Sequence, residues 1–185
     1  NSHLSPYTKL KDFALRHCDG VLAVSSFLQN EILELYPHMI DKVIVWHNGV
    51  DTKRFSADIS EGIISSIRKK LGISETDFVI AYTGRIIPEK GVLELVKAFN
   101  FVNQKEKNSK LVLIGSSWYA GTGTVDKYQE EVRSEAKKNP DSIIFTGYID
   151  NHILPQYLAV ANVLVYPSIW KEPFGLTIVE GLSTG

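Results

Sequence analysis

The sequence predicts a parallel, doubly wound α/β sheet, on three observations. Short apolar runs alternate along the chain with segments whose apolar residues recur at helical spacing. The run Asp77-Phe-Val-Ile-Ala-Tyr82 is apolar almost without interruption, as strands covered on both faces are. Size and composition suit a buried core: 185 residues, 44% hydrophobic and 22% charged, a length at which about 70% of the surface is buried on folding without metals or disulfides.

The elements follow in order. Leu10, Phe13, Ala14 and His17 fall at helical spacing, and residues 20–24 read as a short buried strand. Ser26 and Gln29 form a capping box ahead of Leu28, Ile32 and Leu35, and Pro37 ends that helix. Residues 42–46 are a strand that runs into the turn residues Asn48 and Gly49. Residues 47–59 have no period and read as a connector. Ile63, Ile64, Ile67 and Leu71 make a helical stripe stopped by Gly72, and the strand at 77–82 follows. Val92, Leu95, Val96, Phe99 and Val102 predict a helix, and residues 111–114 a strand. Tyr128, Val132 and Ala136 mark a charged surface helix. Strands at 142–145 and 162–166 flank a short helix at 154–160, and a helix over 175–183 closes the chain. In such sheets ligands bind at the carboxyl ends of the strands, so the loops that leave those ends are where chemistry belongs.

Charge narrows the function. Twenty Lys and Arg against 21 Asp and Glu give a net charge of −1, which argues against a globally basic nucleic-acid binder. Cys18 is the one cysteine and has no internal partner for a disulfide. The longest apolar stretches, such as residues 159–165, are far short of a membrane span. Residues 1–6 carry neither a basic start nor an apolar block, so no signal peptide is expected. Gly121-Thr-Gly123-Thr imitates a glycine motif but reads better as a flexible loop.

Two loops carry candidate chemistry. The first is Thr83-Gly84-Arg85-Ile86-Ile87-Pro88-Glu89-Lys90-Gly91. Gly84 permits a tight turn and Gly91 a close approach at the helix start. Arg85 offers a planar fork for phosphate oxygens and Lys90 a mobile point charge, beside a helix N-terminus that adds N–H donors. Two readings stand: a diphosphate cradle, or a solvated turn with Lys90 paired to Glu89 or Glu94. The glycine spacing is neither that of a dinucleotide fingerprint nor that of a P-loop.

The second loop is Trp170-Lys171-Glu172-Pro173-Phe174-Gly175, running into a helix that holds Glu180. Pro173 suits a first turn and Gly175 lets backbone approach a ligand. Glu180 shares the apolar face with Leu176 and Val179, a costly place for a carboxylate unless hydroxyl donors satisfy it. Here too the reading is open. Glu172 could stabilise the helix dipole and Glu180 could bridge to a distant lysine, or both could bind a polyhydroxylated ligand.

Taken together these residues carry a resemblance. Glu172-Pro-Phe-Gly-Leu-Thr-Ile-Val-Glu180 resembles the E-x7-E signature of retaining glycosyltransferases of family 4. Gly84-Arg85 with Glu89-Lys90-Gly91 is similar to that family's diphosphate loop. Asn48-Gly49-Val50-Asp51 with Phe55 is similar to its connector between domains. Phe145-x-Gly147 and residues 161–167 match further blocks in the same order, so the resemblance covers nearly the whole chain.

The resemblance implies a two-domain GT-B fold. Residues 1–50 would end the N-terminal, acceptor-side domain, 51–59 would connect, and 60–185 would form most of the donor-binding domain. It implies transfer of a hexosyl group from a nucleotide diphosphate sugar to a sugar or lipid-linked acceptor, with retention of configuration. Arg85 and Lys90 would hold the diphosphate and Glu172 the donor-sugar hydroxyls, these three being the catalytic set. Glu180 would hold the ribose. Backbone around Gly175, Leu176 and Thr177 would face sugar and phosphate, with Gly84 and Phe174 in the same site, and Tyr148 and Ile149 would meet the base. No metal and no cofactor besides the donor is expected. A cytoplasmic enzyme is expected, with peripheral attachment at the inner membrane face left open, and the general look of the Gly115-Ser-Ser-Trp-Tyr loop suggests bacterial surface polysaccharide synthesis. The blocks present point to an internal stretch of a longer protein, inactive alone. The rival readings are a module that holds a nucleotide sugar without transfer, and another GT-B enzyme such as a sugar epimerase or phosphorylase.

Overall fold

The computed structural model describes residues 6–116 and 127–185. The chain divides into two compact units, Asn1–Gly49 and Val50–Gly185. The first contains helix α1 (Pro6–His17), strand β1 (Val21–Ala23), helix α2 (Ser26–Leu35), a 3-10 turn (Pro37–Met39) and strand β2 (Val43–Val45). The second contains α3 (Glu61–Lys70), β3 (Phe78–Thr83), α4 (Val92–Lys105), β4 (Ser109–Ile114), α5 (Lys127–Ala136), β5 (Ile143–Gly147), α6 (Leu154–Leu158), β6 (Val163–Leu164) and α7 (Leu176–Thr184).

In the first unit β1 and β2 pair in parallel, Val21 beside Val43 and Ala23 beside Val45. Ala23, Met39 and Val43 are buried beneath Leu28, Ile32 and Tyr36. The opposite face is open: Leu22 is 65% exposed and its register partner Ile44 59%. The expected buried strand at 20–24 is thus buried only at Ala23, because α2 covers one face of a two-stranded ribbon. The capping expectation also shifts by one residue. Ser25, extended at φ −154°, accepts from the Leu28 N–H at 3.2 Å and caps α2. Gln29 reaches across to the Val43 carbonyl at 3.0 Å instead of back to the cap.

The second unit is a four-stranded sheet in the order β5-β4-β3-β6, every pairing parallel. Strand alternation builds its two cores. Val79, Ala81, Val112 and Ile114 face one side, among Ile67 of α3 and Tyr157 and Leu158 of α6. Tyr82, Leu111 and Leu113 face the other, among Val92, Leu95, Val96 and Phe99 of α4 and Val132 and Ala136 of α5. Helices on both faces go with the unbroken apolar runs Phe78–Tyr82 in β3 and Leu111–Ile114 in β4, as the doubly wound reading expects. Phe55, in the stretch read as a connector, is fully buried in the first of these cores.

Two differences from the periodicity are instructive. Val102 is 39% exposed, and the buried positions of α4 after Phe99 are Asn100 and Asn103. Asn103 donates to the carbonyl and hydroxyl of Ser109, and Asn100 to Glu135, so satisfied amides replace apolar residues on the inner face. The last strand shrinks from the expected 162–166 to Val163–Leu164, because only Ile80 and Ala81 of β3 are in register with it. The Gly121–Thr124 motif lies outside the described residues.

Gly91 shows why the loop after β3 needs glycine. Its backbone is left-handed, at φ 65° and ψ 26°, and a Cβ there would run into the carbonyl of Pro167. Gly91→Ala is expected to cost about 2 kcal/mol or more, from the left-handed penalty plus displaced backbone. That should lower the melting temperature by roughly 4–8 °C, followed by circular dichroism; an unchanged melting curve would contradict the close approach.

Candidate functional site

The site grows from the order of the strands. β4 and β5 extend from β3 in one direction and β6 lies on its other side, so the loops after β3 and β6 leave a common edge and diverge. That is the switch point where open parallel sheets leave a crevice. A cavity of about 270 Å³ sits at these carboxyl ends. Thr83, Gly84 and Arg85 line it after β3, Ile114 to Ser116 at β4, Tyr148, Ile149 and Asn151 after β5, and Thr177 from α7. Lys90 reaches it from the 3-10 turn Pro88–Lys90.

Local hydrogen bonds fix the loops. The buried Tyr82 hydroxyl donates to the Arg85 carbonyl at 2.6 Å, and burial pushes its phenol well above the ordinary value. This holds the turn at Gly84 while Arg85 stays exposed. Ile169 N–H donates to the Glu89 carbonyl at 3.0 Å, joining the loop after β6 to the loop after β3. The Tyr166 hydroxyl donates to the Thr177 carbonyl at 2.7 Å and fixes the first turn of α7. Burial, with the Glu180 charge added, pushes that phenol up to about 12.

Lys90 pairs with neither Glu89 nor Glu94. Its Nζ is 2.5 Å from Glu172 Oε2, an ion pair between the two loops. The same oxygen accepts from Trp170 Nε1 at 3.1 Å and Ser168 Oγ at 3.3 Å. Burial raises the Glu172 carboxyl, but these donors outweigh it and hold it below the ordinary carboxylate value. Glu172 is therefore ionised at neutral pH and tied to the cation that borders the cavity.

Glu180 is only 6% exposed. Burial pushes its carboxyl up, against the opposing charge of Arg54. A buried carboxylate held by charge alone, with no side-chain donor among the described residues, is costly and suits an incoming hydroxyl.

Of the residues expected in the site, Gly84, Arg85, Lys90, Tyr148, Ile149 and Thr177 line the cavity, and Glu172 joins it through Lys90. Phe174, Gly175, Leu176 and Glu180 are not part of its lining. Gly175 has a conformational reason instead: it caps α7 at φ 77° and ψ 56°, the left-handed region. Sequence reasoning missed Thr83, Ile114, Gly115, Ser116, Asn151 and Leu154. The first five end a strand or follow one closely, and that position was the signal; Leu154 opens α6. Among the described residues no three His, Cys, Asp or Glu side chains converge as a metal would need, and no helix is long and apolar enough to cross a membrane.

Residues 64–185 match the family described as glycosyl transferases group 1, and residues 2–54 match glycosyltransferase family 4. The chain is 27% identical over 165 residues to an uncharacterized glycosyltransferase of Methanocaldococcus jannaschii, covering 89% of this chain and 40% of that protein. It is 31% identical over 120 residues to the lipopolysaccharide 1,2-N-acetylglucosaminetransferase of Salmonella typhimurium, covering 65% of this chain and 32% of that protein. Among solved structures, Anabaena Alr3699/HepE in complex with UDP-glucose superposes with a TM-score of 0.79 at 24% identity, over 97% of this chain and 47% of that one. WaaG, a glycosyltransferase involved in lipopolysaccharide biosynthesis, superposes with a TM-score of 0.70 at 15% identity, over 88% and 41%. These likenesses bear out the fold, the Rossmann-like parallel sheet found in GT-B enzymes. The chain spans less than half the length of these relatives.

Proposed function

This chain belongs to the group 1 glycosyl transferases, and from that membership we propose that residues 60–185 bind a nucleotide diphosphate sugar whose sugar the whole protein transfers, with retention of configuration, to a sugar or lipid-linked acceptor. The observation that carries the reading is the cavity at the carboxyl ends of β3, β4 and β5. There Arg85 and Lys90 converge beside the N-terminal turn of α7. Two cations and a helix N-terminus suit a diphosphate, and the space toward Tyr148 and Ile149 suits a base. When the sugar–phosphate bond breaks, negative charge grows on the departing diphosphate, and preorganised cations stabilise it there.

In this proposal residues 1–50 belong to the acceptor side and Glu172 meets the hydroxyls of the donor sugar. Glu180 meets those of the ribose. The E-x7-E spacing of the glutamates supports retention. The product would enter surface polysaccharide synthesis, a role in keeping with the lipopolysaccharide enzymes among the relatives.

A thermal-shift panel of UDP-, GDP-, ADP- and dTDP-sugars tests the donor reading, since a ligand that binds only the folded state raises its melting temperature. At least one donor is expected to stabilise the chain; failure of all four would overturn the reading. The glutamates separate further. Glu180→Gln is expected to weaken nucleoside diphosphate and sugar nucleotide alike, each about tenfold. It should not lower the melting temperature at pH 7. A carboxyl raised on folding loses stability as pH rises above its unfolded value, so removing the charge relieves that cost. Loss of stability without loss of binding would make Glu180 a structural residue.

A further inference from the structure

We propose that Trp170 and Ser168 are positioning residues for Glu172: they hold its carboxylate by Oε2, so that Oε1 is left to accept from a donor-sugar hydroxyl even after Lys90 has turned to the diphosphate. The inference rests on the donor-site reading above and assigns work to two side chains outside the glutamate signature.

The geometry is asymmetric. Lys90 Nζ, Trp170 Nε1 and Ser168 Oγ all donate to one oxygen of Glu172, at 2.5, 3.1 and 3.3 Å. No described residue donates to the other. A carboxylate oxygen has about two lone-pair directions, so Oε2 is saturated and an incoming hydroxyl is directed to Oε1. Lys90 also borders the cavity, where a diphosphate competes for its charge. Once it turns away, Glu172 would lose its main anchor unless others remain. Ser168 and Trp170 are on the same loop as Glu172, four and two residues before it, and so move with it. Lys90 Nζ further lies 5.6 Å from the centre of the Trp170 ring, so the indole touches both members of the pair. Beyond these donors, the Tyr82 phenol on β3 feels the charges of Glu172 and Arg85.

Two arms test this on the 185-residue chain. The first needs no ligand. Of the three tryptophan indole resonances, that of Trp170 is assigned by its loss in Trp170→Phe. Glu172→Gln is expected to move it upfield, and acid titration of the parent should move it with the midpoint of Glu172. Carbon-13 titration should place that midpoint higher in Trp170→Phe and Ser168→Ala than in the parent. The second arm is calorimetry with UDP and UDP-glucose. Trp170→Phe is expected to weaken UDP-glucose about threefold to tenfold and UDP less than twofold, with Ser168→Ala a smaller change in the same sense.

An indole resonance indifferent to Glu172→Gln and to acid overturns the anchor, and so does equal loss for both ligands. Should Trp170→Phe fail to fold, Glu172→Gln and Ser168→Ala still decide it. Failure of the parent to bind either ligand counts against the donor reading with these two probes, while the ligand-free arm still judges the anchor.

Discussion

Replacement of Lys90 by alanine is expected to weaken binding of a nucleoside diphosphate about tenfold to a hundredfold while leaving the bare nucleoside almost untouched. A charge-assisted hydrogen bond is worth ~1.5–3 kcal/mol, and each 1.4 kcal/mol is roughly tenfold in affinity. Lys90 is the better placed of the two cations. Its side chain is 17% exposed and it already grips Glu172, whose side chain is 23% exposed. Arg85 is exposed, so Arg85→Ala should cost less, about tenfold at most.

The same substitution predicts a pH effect. Hydrogen bonds from Lys90, Trp170 and Ser168 outweigh burial and lower the Glu172 carboxyl on folding. A lowered carboxyl contributes stability fully above its unfolded value, near 4.5, and loses it as pH falls through the folded value. Lys90→Ala should therefore melt below the parent at pH 7, with the gap closing in acid. Calorimetry with nucleoside and nucleoside diphosphate, and melting curves from pH 7 down to about 3, measure both effects. Equal losses for the two ligands would remove Lys90 from the diphosphate site. A melting gap that persists in acid would mean that the Glu172 pair does not cause it.

The pattern of residues reveals the fold better than it reveals the site. The near-continuous apolar run at 77–82 predicts a strand covered on both faces, and the side chains of β3 and β4 do divide between two cores. Local chemistry also predicts Gly91 as a point of close approach, which the Pro167 carbonyl supplies. What periodicity does not reveal is any polar group whose partner is distant in sequence. Lys90 and Glu172 are 82 residues apart, and local spacing offers Glu89 and Glu94 first. Asn100 and Asn103 read as outward-facing until Glu135 and Ser109 fold onto them. Phe55 has no neighbouring period, because it enters its core from a non-helical, non-strand stretch with only Val50 of that stretch packed beside the same cluster. Ser25 and Ser26 are both chemically competent caps, and backbone conformation decides between them.

Arg68 is the extreme case, and its removal should produce the largest loss of stability. It stands in the α3 stripe, where charge alone would turn it to solvent, yet it is 7% exposed. Its Nη1 donates to the Val160 carbonyl at 3.1 Å, and its Nη2 to the carbonyls of Ser74 and Asp77 at 2.7 Å each. One guanidinium thus ties the end of α3 to the turn before β3 and to the stretch before β6. The rigid fork reaches three carbonyls that one ammonium could not span. Nε is buried without a hydrogen bond, with Glu75 at 4.0 Å as its counter-charge. Arg68→Met keeps much of the apolar stem but strands three carbonyls, and an unsatisfied buried acceptor costs ~1–3 kcal/mol. Allowing for relaxation and entering water, a net loss of about 3 kcal/mol is expected, or roughly 6–12 °C in melting temperature. Arg68→Lys should recover only part of it. These contacts lie at the amino ends of β3 and β6, away from the cavity at the carboxyl ends. Molecules that remain folded should therefore bind nucleotide with parental affinity. Urea unfolding of the three proteins, with calorimetry well below the melting point, separates the two outcomes. A melting temperature within 2 °C of the parent's for Arg68→Met, an effect of only about 1 kcal/mol or less, would mean that water satisfies those carbonyls as well as the guanidinium does.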